Sequence, residues 1–567
     1  MKRLISSGLA IMAFLSLQAL TTPAVFPGGG FKSFSPNGEY AIQDPGDHSP
    51  LVIMDLNNAK DYTYSETYET GQGNCVSNTG VVVGNTLLSD KASYWQNGAW
   101  KLLSVPFYSL QSFANGITPD GKMIVGNITP DVYVGDYEGT YLVPVYWELG
   151  ADGKYAGPYS LPYPTMDFTN RNPQKVTAIR VSDDGNTIAG QMLDYKGQVN
   201  QPVIFQRGQN GEWTYSLLLD ELFHPEGVPV PVYPGEAPRQ QQFMTQQEID
   251  AFNKAMEEWE QNTPDDYDYY PDIYKFMTQE ERDAFYEADF IWQEEIVQFD
   301  IDLSILMQAV PNFDINNIFM TSDGSLVAST DAKFYMDEAQ GINFKEFVPY
   351  LIDVNSDTYR KFPAVDDVQI MISGLTDDGV LIGQNNNSLY GIYNGYILPA
   401  GKNEFIPLYD FVKEVDENTA AWMAENMTHT YDRYDFDNNK VVPTEILATG
   451  VPFTNPDMSL IGFAQYCFWD YTSDIEYYGY LISLPPYAGV EEIASDDEEV
   501  SIGLLPGGDL RINGEVNRLE VFAINGMKVY SADSPRGEIS TNLSKGVYIL
   551  KATTAAGNNY NKKIVIR

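Results

Sequence analysis

Asp435, Asp437 and Asn439 alternate along one short stretch. Alternating oxygen donors are what a loop needs to wrap a hard cation such as calcium. The pattern stops half-way, because Lys440 takes the position that needs glycine and Glu445 falls one residue short of the bidentate glutamate. The stretch therefore reads first as a polar turn, and calcium is the one cofactor the sequence admits. His48, His224 and His429 stand far apart, with no paired spacing to hold zinc. No Gly-x-Ser-x-Gly elbow and no phosphate-cradling glycine loop is present. Cys75 and Cys467 lie in apolar, strand-like segments, and their spacing alone establishes no bridge, so two buried free thiols are expected. Carboxylates are too common here for any pair of them to signal glycoside hydrolysis. Catalysis finds no constellation to rest on.

Binding has better material. Tyr267, Tyr269 and Tyr270 alternate with aspartates, and Trp259 and Trp292 flank them at a fixed offset from a duplicated segment. These five aromatics are the candidate ligand contacts. The chain carries 78 acidic against 34 basic residues, a net charge of −44. Such a surface repels phosphate backbones, which excludes nucleic acid as a partner. At the N-terminus Lys2 and Arg3 precede an apolar run over residues 4–20, with small residues at Ala19 and Ala24. That is the pattern of a secretory leader over residues 1–24. The run is short for a membrane span, and no later stretch is apolar enough to be one.

The elements that must carry these residues announce themselves by repetition. Thr118-Pro119-Asp120-Gly121 separates two apolar runs, and Asp-Gly suits a tight turn between strands. Related turns centre on Gly38, Gly80, Gly185, Gly324 and Gly379, and a weaker seventh has Met458 in the glycine position. The first two intervals are 42 and 41 residues. A second half-motif follows several copies, as in Tyr94-Trp95-Gln96-Asn97-Gly98 and Pro144-Val145-Tyr146-Trp147. Four strands per 40–50 residues predict a β-propeller of about seven blades over residues 25–487. An insertion over residues 219–312 interrupts it after the fourth blade. Inside, Phe243-Met244-Thr245 and Phe276-Met277-Thr278 begin copies 33 residues apart. Thr245 with Glu248, and Thr278 with Glu281, form capping boxes that predict two helices. Residues 417–426 predict another helix. An acidic linker, 488–500, leads to residues 501–567, which read as a small β-sandwich. The fold class expected is therefore all-β, with a helical insertion and a C-terminal sandwich.

The repeats resemble degenerate propeller repeats of exported bacterial proteins. The tail closely resembles the C-terminal sorting domain of type IX secretion cargo. The residues that carry this are Asn525-Gly526-Met527-Lys528-Val529, Gly546-Val547-Tyr548, and Lys562-Lys563-Ile564-Val565. The resemblance implies a Bacteroidota-type bacterium and export to the periplasm. It further implies passage to the cell surface, with Gly526, Gly546, Tyr548, Lys562 and Lys563 as the signature read by the secretion machinery. With no catalytic constellation in the chain, the expected function is a non-catalytic module binding a protein or glycan. The competing expectation is a propeller hydrolase or lyase acting on polysaccharide or peptide.

Overall fold

The computed structural model describes residues 22–566. Excepted are segments 45–50, 64–70, 87–89, 107–108, 131–141, 164–174, 195–198, 263–270, 338–341, 365–367, 386–392, 436–439, 469–474, 485–500, 505–509, 514–515, 524–527, 544–545 and 555–558, and a few single positions. Seven four-stranded antiparallel meanders follow one another and form a seven-bladed β-propeller. Their inner strands are Gly30–Phe34, Gly71–Val76, Ser109–Ile117, Lys175–Val181, Phe313–Met320, Ile370–Leu375 and Val451–Thr454. The weak seventh copy is thus a complete blade. Its outermost strand comes from the other end of the described chain: Ala24–Pro27 pairs antiparallel with the third strand, from Ala24↔Leu481 to Pro27↔Tyr478. The ring is latched by this swap, which leaves no open edge between first and last blades. A leader cut after residue 24 would leave only Val25–Pro27 of the latch, since pairing starts at Ala24.

The repeated turn joins first and second strands of each blade. Gly38, Gly80, Gly121, Gly185, Gly324 and Gly379 have φ between +70° and +78°, a region that a Cβ disfavours. The turn is closed by side chains. Thr118 Oγ1 donates to Asp120 Oδ1 at 2.8 Å and accepts from the Met123 N–H at 3.0 Å. Ser35, Ser182 and Thr321 repeat this arrangement. Neighbouring turns are stitched together: Asn78 N–H donates to the Pro119 carbonyl, Asp183 N–H to that of Ser322, and Asp377 N–H to that of Pro456. Met458 adopts φ +55°, with Asn455 in place of the Ser/Thr, and its side chain is 2% exposed. Between blades the core is apolar, as where Ile117 and Ile124 meet Val81 and Tyr94.

These turns define two faces. In a four-stranded meander, the first–second and third–fourth connections lie on one face and all others on the opposite one. The short turns, the latch's start and the exit of the seventh blade at Ser483 share the first face, where Thr22 and Ser483 join hydroxyls. Both large insertions, between blades 4 and 5 and between blades 6 and 7, must rise from the second face. The tail forms a four-stranded and a three-stranded sheet. They enclose their own core of Leu510, Ile512, Val516, Leu519, Val521, Tyr548, Leu550 and Ala552.

Candidate functional site

The first insertion starts with the single turn α1 (Asp220–Phe223) and holds α2 (Gln246–Asn262) and α3 (Gln279–Ala309). The duplication in sequence is a duplication in structure. Each copy is a 3-10 turn, Gln240–Phe243 or Ile273–Phe276, followed by a capped helix. Thr245 N–H donates to Glu248 at 2.8 Å and Thr278 N–H to Glu281 at 2.7 Å, so both capping boxes form. The copies clasp each other reciprocally. Phe243 of the first packs edge-on against Phe285 of the second at 5.8 Å, and Phe276 of the second against Phe252 of the first at 5.6 Å. Met244 and Met277 complete this small core.

α3 does more than its counterpart. With 31 residues it is nearly twice as long as α2, about 46 Å at 1.5 Å per residue. Its C-terminal third is rooted in the ring, where Phe299, Leu303 and Leu306 pack with Leu218, Phe223, Phe313 and Tyr350. On an opposed face, Tyr286, Phe290, Val297, Ile301 and Ile305 stay between 44% and 62% exposed. At 100° per residue these five fall within one arc of about 100°. Carboxylates line the stripe at Glu287, Glu294 and Asp302, and Arg282 is the only basic residue of the helix. An apolar stripe edged by one sign of charge is an unusual solvent face, because lone exposed apolar residues are common and aligned ones are not.

The aromatics expected from sequence to bind fall elsewhere. Tyr267, Tyr269 and Tyr270 lie outside the described residues. Trp259 and Trp292 are half-buried, and the Trp292 indole N–H donates to the Gly235 carbonyl at 3.0 Å, tying the proline-rich approach to α3. The capping box at Thr278 locates the start of α3 but does not say which of its faces the ring covers, so the stripe does not stand out from the sequence. Its spacing of four and seven residues was present in the sequence throughout.

The second insertion carries α4 (Leu408–Val415) and α5 (Glu417–Asn426), then a hairpin of Thr428–Asp435 and Lys440–Leu447. Asp416 caps α5, accepting from the N–H groups of Asn418 and Thr419. Asp435 ends the first hairpin strand opposite Lys440. Asp437 and Asn439, the other expected calcium ligands, lie outside the described residues. No group of three metal-ligating side chains is present among the described residues. Of the sorting signature, Gly526 is outside them. Gly546, Lys562 and Lys563 are placed in the paired strands Gly546–Thr554 and Asn559–Ile566, and Tyr548 is buried.

Two clusters of charge remain. Asp183 and Asp377 face each other across Ser322 on the turn face. Burial, with the charge of Asp377 adding to it, raises Asp183 to about 6. Burial likewise raises Asp331, at the root of α3, to about 6, although its carboxylate accepts from the Asn312 N–H at 2.8 Å. The thiol of Cys75 is free and half-buried rather than fully buried.

No family model matches the chain, and no curated protein matches it. Among solved structures, TolB from Agrobacterium tumefaciens is 10% identical, over 63% of this chain and 88% of that one, with a TM-score of 0.29. The β-propeller domain of Swd1 from Myceliophteria thermophila is 9% identical, over 96% and 100%, with a TM-score of 0.27. A prolyl endopeptidase is 9% identical over 95% of this chain, which spans only 55% of that enzyme's chain, with a TM-score of 0.37. What the sheet order defines is a class: a seven-bladed β-propeller with a helical insertion and a C-terminal β-sandwich. No helix among the described residues is long and apolar enough to cross a membrane.

Proposed function

We propose that the chain is an exported, surface-delivered binding module whose partner is a protein carrying an amphipathic basic segment. The observation that carries this reading is the exposed stripe Tyr286–Phe290–Val297–Ile301–Ile305 on α3. Helix-in-groove and helix-on-helix recognition use anchors at such spacings. The flanking carboxylates favour a cationic partner and disfavour a second copy of a chain with net charge −44. α3 suits this role because both its ends are fixed, one in the ring and one in the duplicated helical core, so its exposed face is pre-organised. Delivery follows from the leader and from the tail's resemblance to a sorting domain. The tail's separate core fits an address label, which has to fold whatever cargo precedes it.

The test is a fluorescence-anisotropy titration of the full mature chain with three labelled 18-residue peptides. These are an amphipathic Leu/Lys helix, its Leu/Glu counterpart, and a scrambled Leu/Lys sequence. The amphipathic cationic peptide should bind, the anionic one should not, and Phe290→Ser with Ile301→Ser should weaken binding about tenfold or more. Equal binding of the scrambled peptide, or no effect of the double substitution, would show that net charge alone is at work.

A further inference from the structure

The inner strands of the propeller surround a central channel, and one level of it is chemically unlike the rest. Two residues before each turn's Ser/Thr stand Ser33, Cys75, Gly116, Arg180, Phe319 and Gly374 in the first six blades. A one-residue bulge immediately before this level interrupts five of the six inner strands, at Lys32, Asn74, Asn115, Ile179 and Ser373. A bulge re-aims the side chain that follows it. Accordingly Ser33, Cys75, Arg180 and Phe319 keep accessible surface, while their chain neighbours Phe34, Val76, Ile179 and Ile318 are buried. They line the channel.

Arg180 dominates that level. Its guanidinium carbon lies 5.3 Å from the ring centroid of Phe319, on the next blade. On its other side it reaches toward Cys75 of blade 2. Gly116 of blade 3 puts no side chain beside it; a Cβ there would stand 2.6 Å from the Ile179 carbonyl and 3.5 Å from the Arg180 Cα. Arg180 makes no hydrogen bond or ion pair with any described residue, in a chain with 78 carboxylates to offer. Burial lowers its affinity for the proton. Taking a guanidinium out of bulk water without a counter-charge is unfavourable, and the other five strands carry no charged residue at this level. The guanidinium sits over an aromatic ring with no hydrogen-bond partner for its N–H groups among the described residues, and a guanidinium so placed can bind an oxyanion in a bidentate manner.

We propose that the central channel is a binding site for a small oxyanion, a carboxylate, phosphate or sulfate group, held by Arg180 over Phe319. The site is separate from the α3 stripe and does not depend on it.

The full mature chain is melted at fixed ionic strength in sodium chloride, with part of the chloride replaced by acetate, phosphate or sulfate. At least one of these arms should raise the melting temperature in a saturable way, and the arm that does so identifies the group. Arg180→Gln should abolish the saturable part, and Arg180→Lys should weaken it about tenfold. Should Arg180→Gln fail to fold, the wild-type chain is treated with phenylglyoxal and modification is read by peptide mass spectrometry. The effective anion should then slow modification of Arg180 and leave the exposed Arg518 unchanged. No arm differing from chloride, saturable stabilisation surviving in Arg180→Gln, or Arg180 modified at the same rate with and without the anion would each overturn the proposal and leave Arg180 as a channel plug.

Discussion

Met458 sets two effects of comparable size against each other. It occupies the turn position that is glycine in the other six blades, at φ +55°. The left-handed conformation costs a residue with a Cβ about 1–2 kcal/mol. Replacing it with glycine recovers that strain, less roughly 0.5–1 kcal/mol for glycine's extra freedom when unfolded. The same replacement removes a side chain that is 2% exposed and packed with Val380, Ile382, Phe463 and Ile482. Truncating a buried methionine costs about 2–5 kcal/mol. Packing therefore wins, and Met458→Gly should destabilise the ring by about 0.5–5 kcal/mol on that balance. Met458→Ala should be worse still, because it loses the packing and keeps the strained backbone. In urea unfolding followed by tryptophan fluorescence, a slope near 3 kcal/mol/M predicts a Met458→Gly midpoint lowered by about 0.2–1.7 M, with the alanine variant lower still. A Met458→Gly midpoint above wild type would refute the claim that packing keeps methionine at this turn. Equal midpoints for glycine and alanine would refute the strain.

Asp183 and Asp331 are both raised to about 6, above the unfolded value of 3.8. The folded state thus binds these protons more tightly, so stability should climb as pH falls through 6 and level off below about 4; Asp183→Asn with Asp331→Asn should flatten that climb in melts across pH 4–8. Deleting residues 501–567 should leave the propeller's melting temperature within a degree or two, because the tail's core is its own, and should abolish surface delivery in a host with type IX machinery. Deleting the latch strand Ala24–Pro27 strips four paired residues and the Phe26–Phe31 edge contact at 5.2 Å. It should lower the melting temperature by several degrees and promote edge-to-edge aggregation in light scattering, whereas a chain unaffected by it would show the latch to be dispensable.

The blade architecture was legible because each turn needs its own chemistry. A left-handed glycine recurs in six of the seven turns that join a first strand to a second, and a Ser/Thr-x-Asp pattern in four of them, and the φ values of Gly80, Gly121, Gly185 and Gly379 follow from that need. Capping boxes at Thr245 and Thr278 located both helices of the insertion for a similar local reason. The latch was hidden, since Ala24–Pro27 is short and sits at the edge of a leader-like run, and pairing with residues 478–481 is a long-range fact that no local pattern encodes. The channel was hidden for the same reason. Arg180 reads as an ordinary strand residue until five bulges bring its level of the ring into register. In the candidate site the period of α3 was visible, but which face of a long amphipathic helix meets the ring is decided by Phe299, Leu303 and Leu306 packing on blades 4 and 5.

The claim that α3 is the partner-binding face is tested most directly by a photo-crosslinking residue placed at Phe290 or Ile301 in the full chain on living cells. The control position is Leu102, which is 65% exposed on the ring's outer edge. The account predicts one discrete protein adduct from both α3 positions and none from Leu102, with the crosslinked peptide rich in lysine or arginine and apolar residues. An identical adduct pattern from Leu102, no adduct from α3, or a crosslinked peptide that is acidic would contradict it.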